Sequence, residues 1–300
     1  MSTAAPQPET REPFTYGRQR LYLGDCLDWL TTAAPDSLGA VVTDPPYGLV
    51  EYHPEQQRKL RAGRGGVWRI PPSFDGANRL PLPRFTVLSA AEREAISAFF
   101  EEWGRRLLPA IKPGGHVLIA GNPLVSPLVA GAMERAGFER RGELVRLVRT
   151  FRGGDRPKGA ERDYPMVSTS PRSAWEPWGL YRRPISERTI ALNLARWGTG
   201  GLHRLSEDTP FLDVIASGTT PSRERAIAPH PSVKPQAFLR HVVRHVLPLG
   251  AESGPILDPF AGCATTLAAC EASGLEGIGV ERDPAYFDLA AAAIPKLAAL

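Results

Sequence analysis

"VVTDPPYG" (Val41–Gly48) decides the fold. A run of apolar, mostly β-branched residues stops at Asp44, two prolines fix the backbone, and Tyr47 follows. A continuous apolar run of this length predicts a strand buried on both faces, as in a parallel sheet. The layout recurs in "RLYLGD" (20–25), "GPILD" (254–258) and "EGIGVE" (276–281), which end in Asp25, Asp258 and Glu281. A helical pattern follows three of these runs directly: "CLDWLTTAA", "PFAGCATTLAACEAS" and "PAYFDLAAAA". Strands alternating with helices predict an α/β fold with a mostly parallel sheet flanked by helices. Such sheets bind ligands outside the carboxyl ends of their strands. One aspartate there could be a helix cap; four strand-ending carboxylates favour a shared site.

The rest of the chain is less even. Residues 48–88, rich in Pro, Gly and Arg, read as a long loop, of the kind that is a functional lid or disordered. Ser89 and Glu92 form a capping-box signature for a helix whose apolar face is Ile96, Phe99, Trp103 and Leu107. "KPGG" (112–115) is expected to end it, and "HVLIAG" (116–121) to be a buried strand. A helix over 124–136 stops at Gly137, and "GELVRLVRTF" reads as a strand. Periodicity is then lost to about residue 228, "PRSAWEPWGLYRRP" included. "PQAFLRHVVRHVLP" returns to a helical pattern, and Pro295 is expected to end or kink the last helix.

Composition excludes more than it assigns. The chain has 300 residues, 42% of them hydrophobic, with no apolar run long enough to span a membrane. Its first residues lack the order of a signal peptide, so a cytoplasmic location is the expectation. Three cysteines without a CxxC pair argue against a zinc site or a disulfide framework. Net charge is +4, and of 36 basic residues only five are lysine. Arginine suits phosphate and base-edge contacts, but GC-rich coding would enrich it equally.

"ILDPFAGCATT" (256–266) has a strand–turn–helix layout. It is neither a P-loop nor GxGxxG. Gly262 permits a close backbone approach, and the helix start offers N–H groups. Asp258 would repel a diphosphate and suits a cationic ammonium group. Glu281 can accept from ribose hydroxyls, as acidic residues do in dinucleotide folds. A nucleoside with a cationic amino-acid tail fits this description, namely S-adenosyl-L-methionine. The bland alternative is an ordinary βα turn with Asp258 as a cap.

Five blocks now stand in order: "YLGDCLDWL" (22–30), "TDPPYG" (43–48), "HPSVKP" (230–235), "DPFAGCATT" (258–266) and "GVERDPAYFDLA" (279–290). In this the chain resembles the amino-group DNA methyltransferases, specifically the circularly permuted β class of the N6-adenine/N4-cytosine family. The family's second glycine is Ala264 here, which is expected to fit as an already helical residue. The resemblance implies a Rossmann-like methyltransferase domain. Its divisions would be a flexible tail (1–15), a catalytic half (16–184), a small irregular target-recognition region (185–228) and a cofactor-binding half (229–300).

It also implies roles. Asp258, Phe260, Gly262 and Thr265 would line the cofactor, Glu281 its ribose and Asp25 its adenine amino group. His230, Ser232 and Lys234 would lie at the methionine end, Lys234 or nearby backbone facing its carboxylate. Asp44 and the Pro45 carbonyl, preorganised by Pro46, would accept hydrogens from a base amino group. Tyr47 would stack on the flipped base. No Pro-Cys pair exists for cytosine-C5 chemistry, and no metal is required. Aspartate at the first motif position leans to adenine N6; cytosine N4 is the alternative, and a non-catalytic DNA-binding subunit the different-class one. RNA remains a further substrate class. Arg58, Lys59, Arg61, Arg64 and Arg69 would contact phosphates of double-stranded DNA. Arg188, Arg196, Arg204, Arg223 and Arg225 are candidates for base recognition, whereas Trp175, Trp178 and Trp197 read as packing residues. A homodimer and a cognate restriction enzyme are expectations by analogy with the class.

Overall fold

A computed structural model describes residues 12–46, 89–148, 154, 156–230 and 232–300. The elements run β1 (Phe14–Tyr16), β2 (Gln19–Leu23), α1 (Cys26–Thr32), β3 (Leu38–Thr43), α2 (Ala90–Ala110), β4 (Ile111–Ala120), α3 (Ser126–Arg135) and β5 (Glu139–Leu147). Then come β6 (Trp175–Arg182), α4 (Ile190–Trp197), β7 (Val214–Ala216), α5 (Ser222–Ile227), α6 (Gln236–Val246), β8 (Ile256–Asp258), α7 (Thr265–Ala272), β9 (Gly277–Glu281) and α8 (Pro284–Ala298). The nine strands form one sheet in the order β1-β2-β9-β8-β3-β4-β6-β5-β7.

From β2 to β4 the neighbours are all parallel. β1 and β6 run against the rest. The order interleaves the two ends of the chain: β8 and β9 insert between β2 and β3. Every residue of β3 is buried, as its apolar run predicts. Val41 packs with Phe100, Trp103 and Met133 of α2 and α3 on one face. Ala40 and Val42 point into the opposite layer with Phe238 and Val242 of α6. This two-residue alternation between two helical layers is what a doubly covered sheet demands. No helix among the described residues is long and apolar enough to cross a membrane.

The capping box forms at α2, with Ser89 and Glu92 each accepting the other's backbone N–H. Gly137 takes a φ of 103° beyond α3. Three expectations change. "KPGG" does not merely end a helix; it lies inside β4, beside a register shift against β3. "WEPWGLYR", which shows no useful periodicity, is a full strand wedged between β4 and β5, where long-range pairing overrides Pro177 and Gly179. Pro295 ends nothing, since α8 continues to Ala298.

Candidate active site

Four parallel strands, side by side, bring their final carboxylates to one edge. Leu23 pairs with Glu281, Asp258 with Gly279, and Val41 with Leu257, so Asp25, Glu281, Asp258 and Asp44 follow one another along it. The edge is tied together locally. Thr43 Oγ1 donates to Asp258 Oδ1 at 2.7 Å. Gly262 N donates to Glu281 Oε2 at 2.7 Å, and Asp283 N to Oε1 at 2.8 Å. Asp25 caps α1 by accepting from Leu27 N at 2.8 Å.

Asp258 is 3% exposed, and burial pushes its carboxyl up from 3.8 to about 6, against the pull of hydrogen bonds from Thr266, Thr43 and Phe260 N. Burial likewise raises Glu281, opposed by backbone amides. A buried carboxylate with raised proton affinity is under-compensated for charge, and a cationic ligand would relieve it.

The turn between β8 and α7 is built from two left-handed residues. Gly262 has φ +52°, and a Cβ there would lie 3.2 Å from His230 Cε1. The His230 ring meets Tyr286 edge-on at 4.4 Å and accepts from Ser232 N at 3.2 Å. Burial pushes His230 down to about 4, with Lys234 adding to the effect. Ala264 sits at φ 55°, ψ 38°. It is therefore not the helical residue expected, but an L-residue in the region that glycine prefers. Phe260 is half-buried against Phe99 and Trp103, and Thr265 gives its carbonyl to Gln236 Nε2.

Lys234 is placed differently from the expectation. Its Nζ lies 2.7 Å from Asp44 Oδ2 and 2.7 Å from Glu176 Oε1. Arg146 Nη1 reaches Glu176 Oε2 at 2.7 Å. Neither Glu176 nor Arg146 was legible as a site residue. They face each other across the β5–β6 ladder, but lie 30 positions apart, Glu176 in a stretch without periodicity.

The basic candidates divide. Tyr47, Arg58, Lys59, Arg61, Arg64 and Arg69 lie outside the described residues. Arg196 and Arg204 are not brought to the carboxylate edge. Buried Asn193 of α4 donates to Pro113 O, and Arg182, opposite His116, donates to Gly200 O, which fixes residues 193–200 at the amino end of β4. Arg196 there is paired with Glu187 and lies over Trp197. Exposed Arg223 and Arg225 stand on α5, tethered near the site by Thr220 to Val233 O and Glu224 to Gln236 N. Sequence reasoning passed over Arg156, Lys158, Arg162 and Arg172, all exposed on the connection that leaves β5 and enters β6 at the carboxylate edge. Of the three tryptophans, Trp178 is buried and packs on Phe238, while Trp175 is exposed.

Residues 173–292 match the N6_N4_Mtase family of DNA methylases. That span holds Glu176, Lys234, Asp258 and Glu281 and supports the resemblance to amino-group DNA methyltransferases, while the blocks at 22–30 and 43–48 lie outside it. The type II methyltransferase M2.DpnII of Streptococcus pneumoniae is 22% identical over 277 residues, covering 92% of this chain and 90% of that protein. Among solved structures, the PvuII DNA methyltransferase, cytosine-N4-specific, superposes with TM-score 0.61 at 14% identity, covering 96% of this chain and 94% of that one. TTHA0409 of Thermus thermophilus, solved with S-adenosyl-L-methionine, gives TM-score 0.57 at 18% identity over 94% of this chain and 96% of that one. The fold is thus that of the DNA methyltransferases, a mixed sheet with flanking helices.

Proposed function

We propose that this chain is a site-specific DNA methyltransferase that moves a methyl group from S-adenosyl-L-methionine to an exocyclic amino group of a flipped base, adenine N6 in preference to cytosine N4. The observation that carries it is the row Asp25–Glu281–Asp258–Asp44 along one sheet edge.

The residues fit the cofactor. Among the described residues no cation pairs with buried Asp258, the glycine at 262 keeps the turn tight against His230, and Glu281 is held by two backbone amides. Asp258, Phe260, Gly262, Thr265, Glu281 and Asp25 would hold it, with His230 and Ser232 at its amino-acid end. The chemistry it supplies when bound is an electrophilic methyl on a cationic sulfur. The paired ammonium suits Lys234 less to binding that end than to serving Asp44.

An exocyclic amine is a poor nucleophile because its lone pair is delocalised into the ring. Asp44 and the Pro45 carbonyl accept its hydrogens and localise that pair, and two successive prolines hold the acceptors in place. Tyr47 stacks on the extruded base. The reaction then depends on proximity, with no enzyme–base covalent bond. Arg223 and Arg225, with Arg156, Lys158, Arg162 and Arg172, contact phosphates on the same edge.

The adenine preference rests on aspartate at position 44 in the circularly permuted β-class reading. Transfer of tritium from labelled cofactor to duplex DNA, followed by nucleoside analysis, tests it. N6-methyladenine is expected; N4-methylcytosine would overturn the base assignment, and label only in RNA the substrate class.

A further inference from the structure

Asp44 stands at the end of a chain of alternating charges that crosses three secondary elements. Lys234, just before α6, touches Asp44 and Glu176 at 2.7 Å each. Glu176, on β6, holds Arg146 Nη1 with its other oxygen at 2.7 Å. Arg146, on β5, is in turn fixed at every nitrogen: Nε donates to Ser217 Oγ at 3.1 Å and Nη2 to Gly218 O at 3.0 Å. Its guanidinium carbon lies 5.0 Å from the centre of the Phe238 ring. Side-chain exposures are 6% for Arg146, 14% for Glu176, 12% for Lys234 and 14% for Asp44.

Burying four charges is costly unless each is compensated. Here two acids alternate with two bases, and the chain sums to zero. Burial works against the charged forms of Glu176 and Lys234, yet their partners outweigh it, holding Glu176 below and Lys234 above its ordinary range. A structural purpose alone needs only the Arg146–Glu176 pair. Lys234 extends it by one link to a residue at the mouth of the sheet edge, beside the buried carboxylate of Asp258.

We propose that Glu176 and Arg146 are positioning residues that act through Lys234: they anchor its ammonium against Asp44 and so fix the orientation and the charged state of that carboxylate. The proposal rests on the methyltransferase reading for what Asp44 does, not for the coupling itself. Asp44 must accept a hydrogen from the amine while staying ionised. Without Lys234 it would face two negative neighbours, Glu176 and Asp258, and become protonated at higher pH. The other groups on this side are Cys263 in the β8–α7 turn, whose thiol burial pushes up to about 12, and His230, which burial holds neutral. Of these described groups neither carries a positive charge that could replace the ammonium.

The test uses the intact chain labelled with 13C at aspartate carboxyls, with Asp44→Asn assigning the signal. Lys234→Met is expected to raise the Asp44 midpoint by about 1–3 pH units, the reach of an opposite charge at contact. Lys234→Arg, which keeps the charge, is expected to restore it. The acid limb of kcat for DNA methylation should move with the midpoint. Glu176→Gln should lower kcat about tenfold or more with KM for DNA unchanged, since it loosens the ammonium without touching DNA. If Lys234→Met does not fold, the neutral double variant Glu176→Gln/Lys234→Met removes the pair as a unit and should show a rise in the same direction but smaller, because the charge of Glu176 is gone as well. An Asp44 midpoint equal to wild type in folded Lys234→Met or the double variant overturns the proposal. A wild-type chain with the expected titrations that leaves DNA unmodified supports the coupling and overturns the activity reading.

Discussion

Replacing Gly262 by alanine separates the two demands made on the β8–α7 turn. The position has φ +52°, where an L-residue costs about 1–2 kcal/mol. The added methyl also restricts the unfolded chain, which returns about 0.4–1 kcal/mol. The backbone share is therefore on the order of 0.5–1 kcal/mol. The second demand is space. The new Cβ would meet His230 Cε1 at 3.2 Å, and the ring is held between Tyr286 and Ser232 N. Overpacking of this kind costs about 1–3 kcal/mol, so the sum is roughly 2 kcal/mol or somewhat more. For a chain of this size that lowers Tm by about 3–5 °C. Thermal unfolding gives the loss, and equilibrium dialysis with S-adenosyl-L-methionine the effect on binding, which should weaken because Gly262 N also orients Glu281. In the His230→Ala background the steric share disappears, leaving a non-additivity of about 1 kcal/mol. Neighbouring Ala264 shows that a Cβ is tolerated at positive φ in this turn when nothing opposes it. An unchanged Tm and unchanged binding in Gly262→Ala would refute the reasoning.

Other consequences are direct. The folded state holds the Asp258 proton more tightly than the unfolded chain, so this group's contribution to stability is full below about pH 4. It is lost as the pH rises to about 6, by up to about 3 kcal/mol. Asp258→Asn should flatten that segment of a denaturant-derived stability profile, and a profile that keeps its slope would contradict it. Asn193→Ala, which removes donors to Pro113 O and Thr199 O at a fully buried site, should cost about 2–4 kcal/mol in urea unfolding while leaving kcat unaltered. Arg223→Ala should reduce the salt slope of DNA binding by about 1, whereas Arg196→Ala should not change it. Equal slopes for the two variants would remove the argument from their opposite placement.

The strand ends were legible because each joins a local apolar run to a carboxylate, and sheet topology then places neighbours automatically. The capping box at Ser89 was legible for the same reason, since all its parts lie within four residues. β6 was not, because Trp175–Arg182 owes its extended form to β4 and β5 on either side rather than to its own pattern. The Glu176–Arg146 pair was hidden with it. Lys234 was singled out, but its partners depend on distances between segments that no spacing encodes. Ala264 was misread because residue type alone favours helix there, while the tight turn imposes a left-handed backbone.

Modification-sensitive sequencing of DNA from a methylation-free host expressing this chain addresses the central claim most directly. The account predicts N6-methyladenine at one sequence motif, absent when Asp44→Ala is expressed at the same level and still binds S-adenosyl-L-methionine. Unmodified DNA from cells containing folded, cofactor-binding wild-type protein would contradict it.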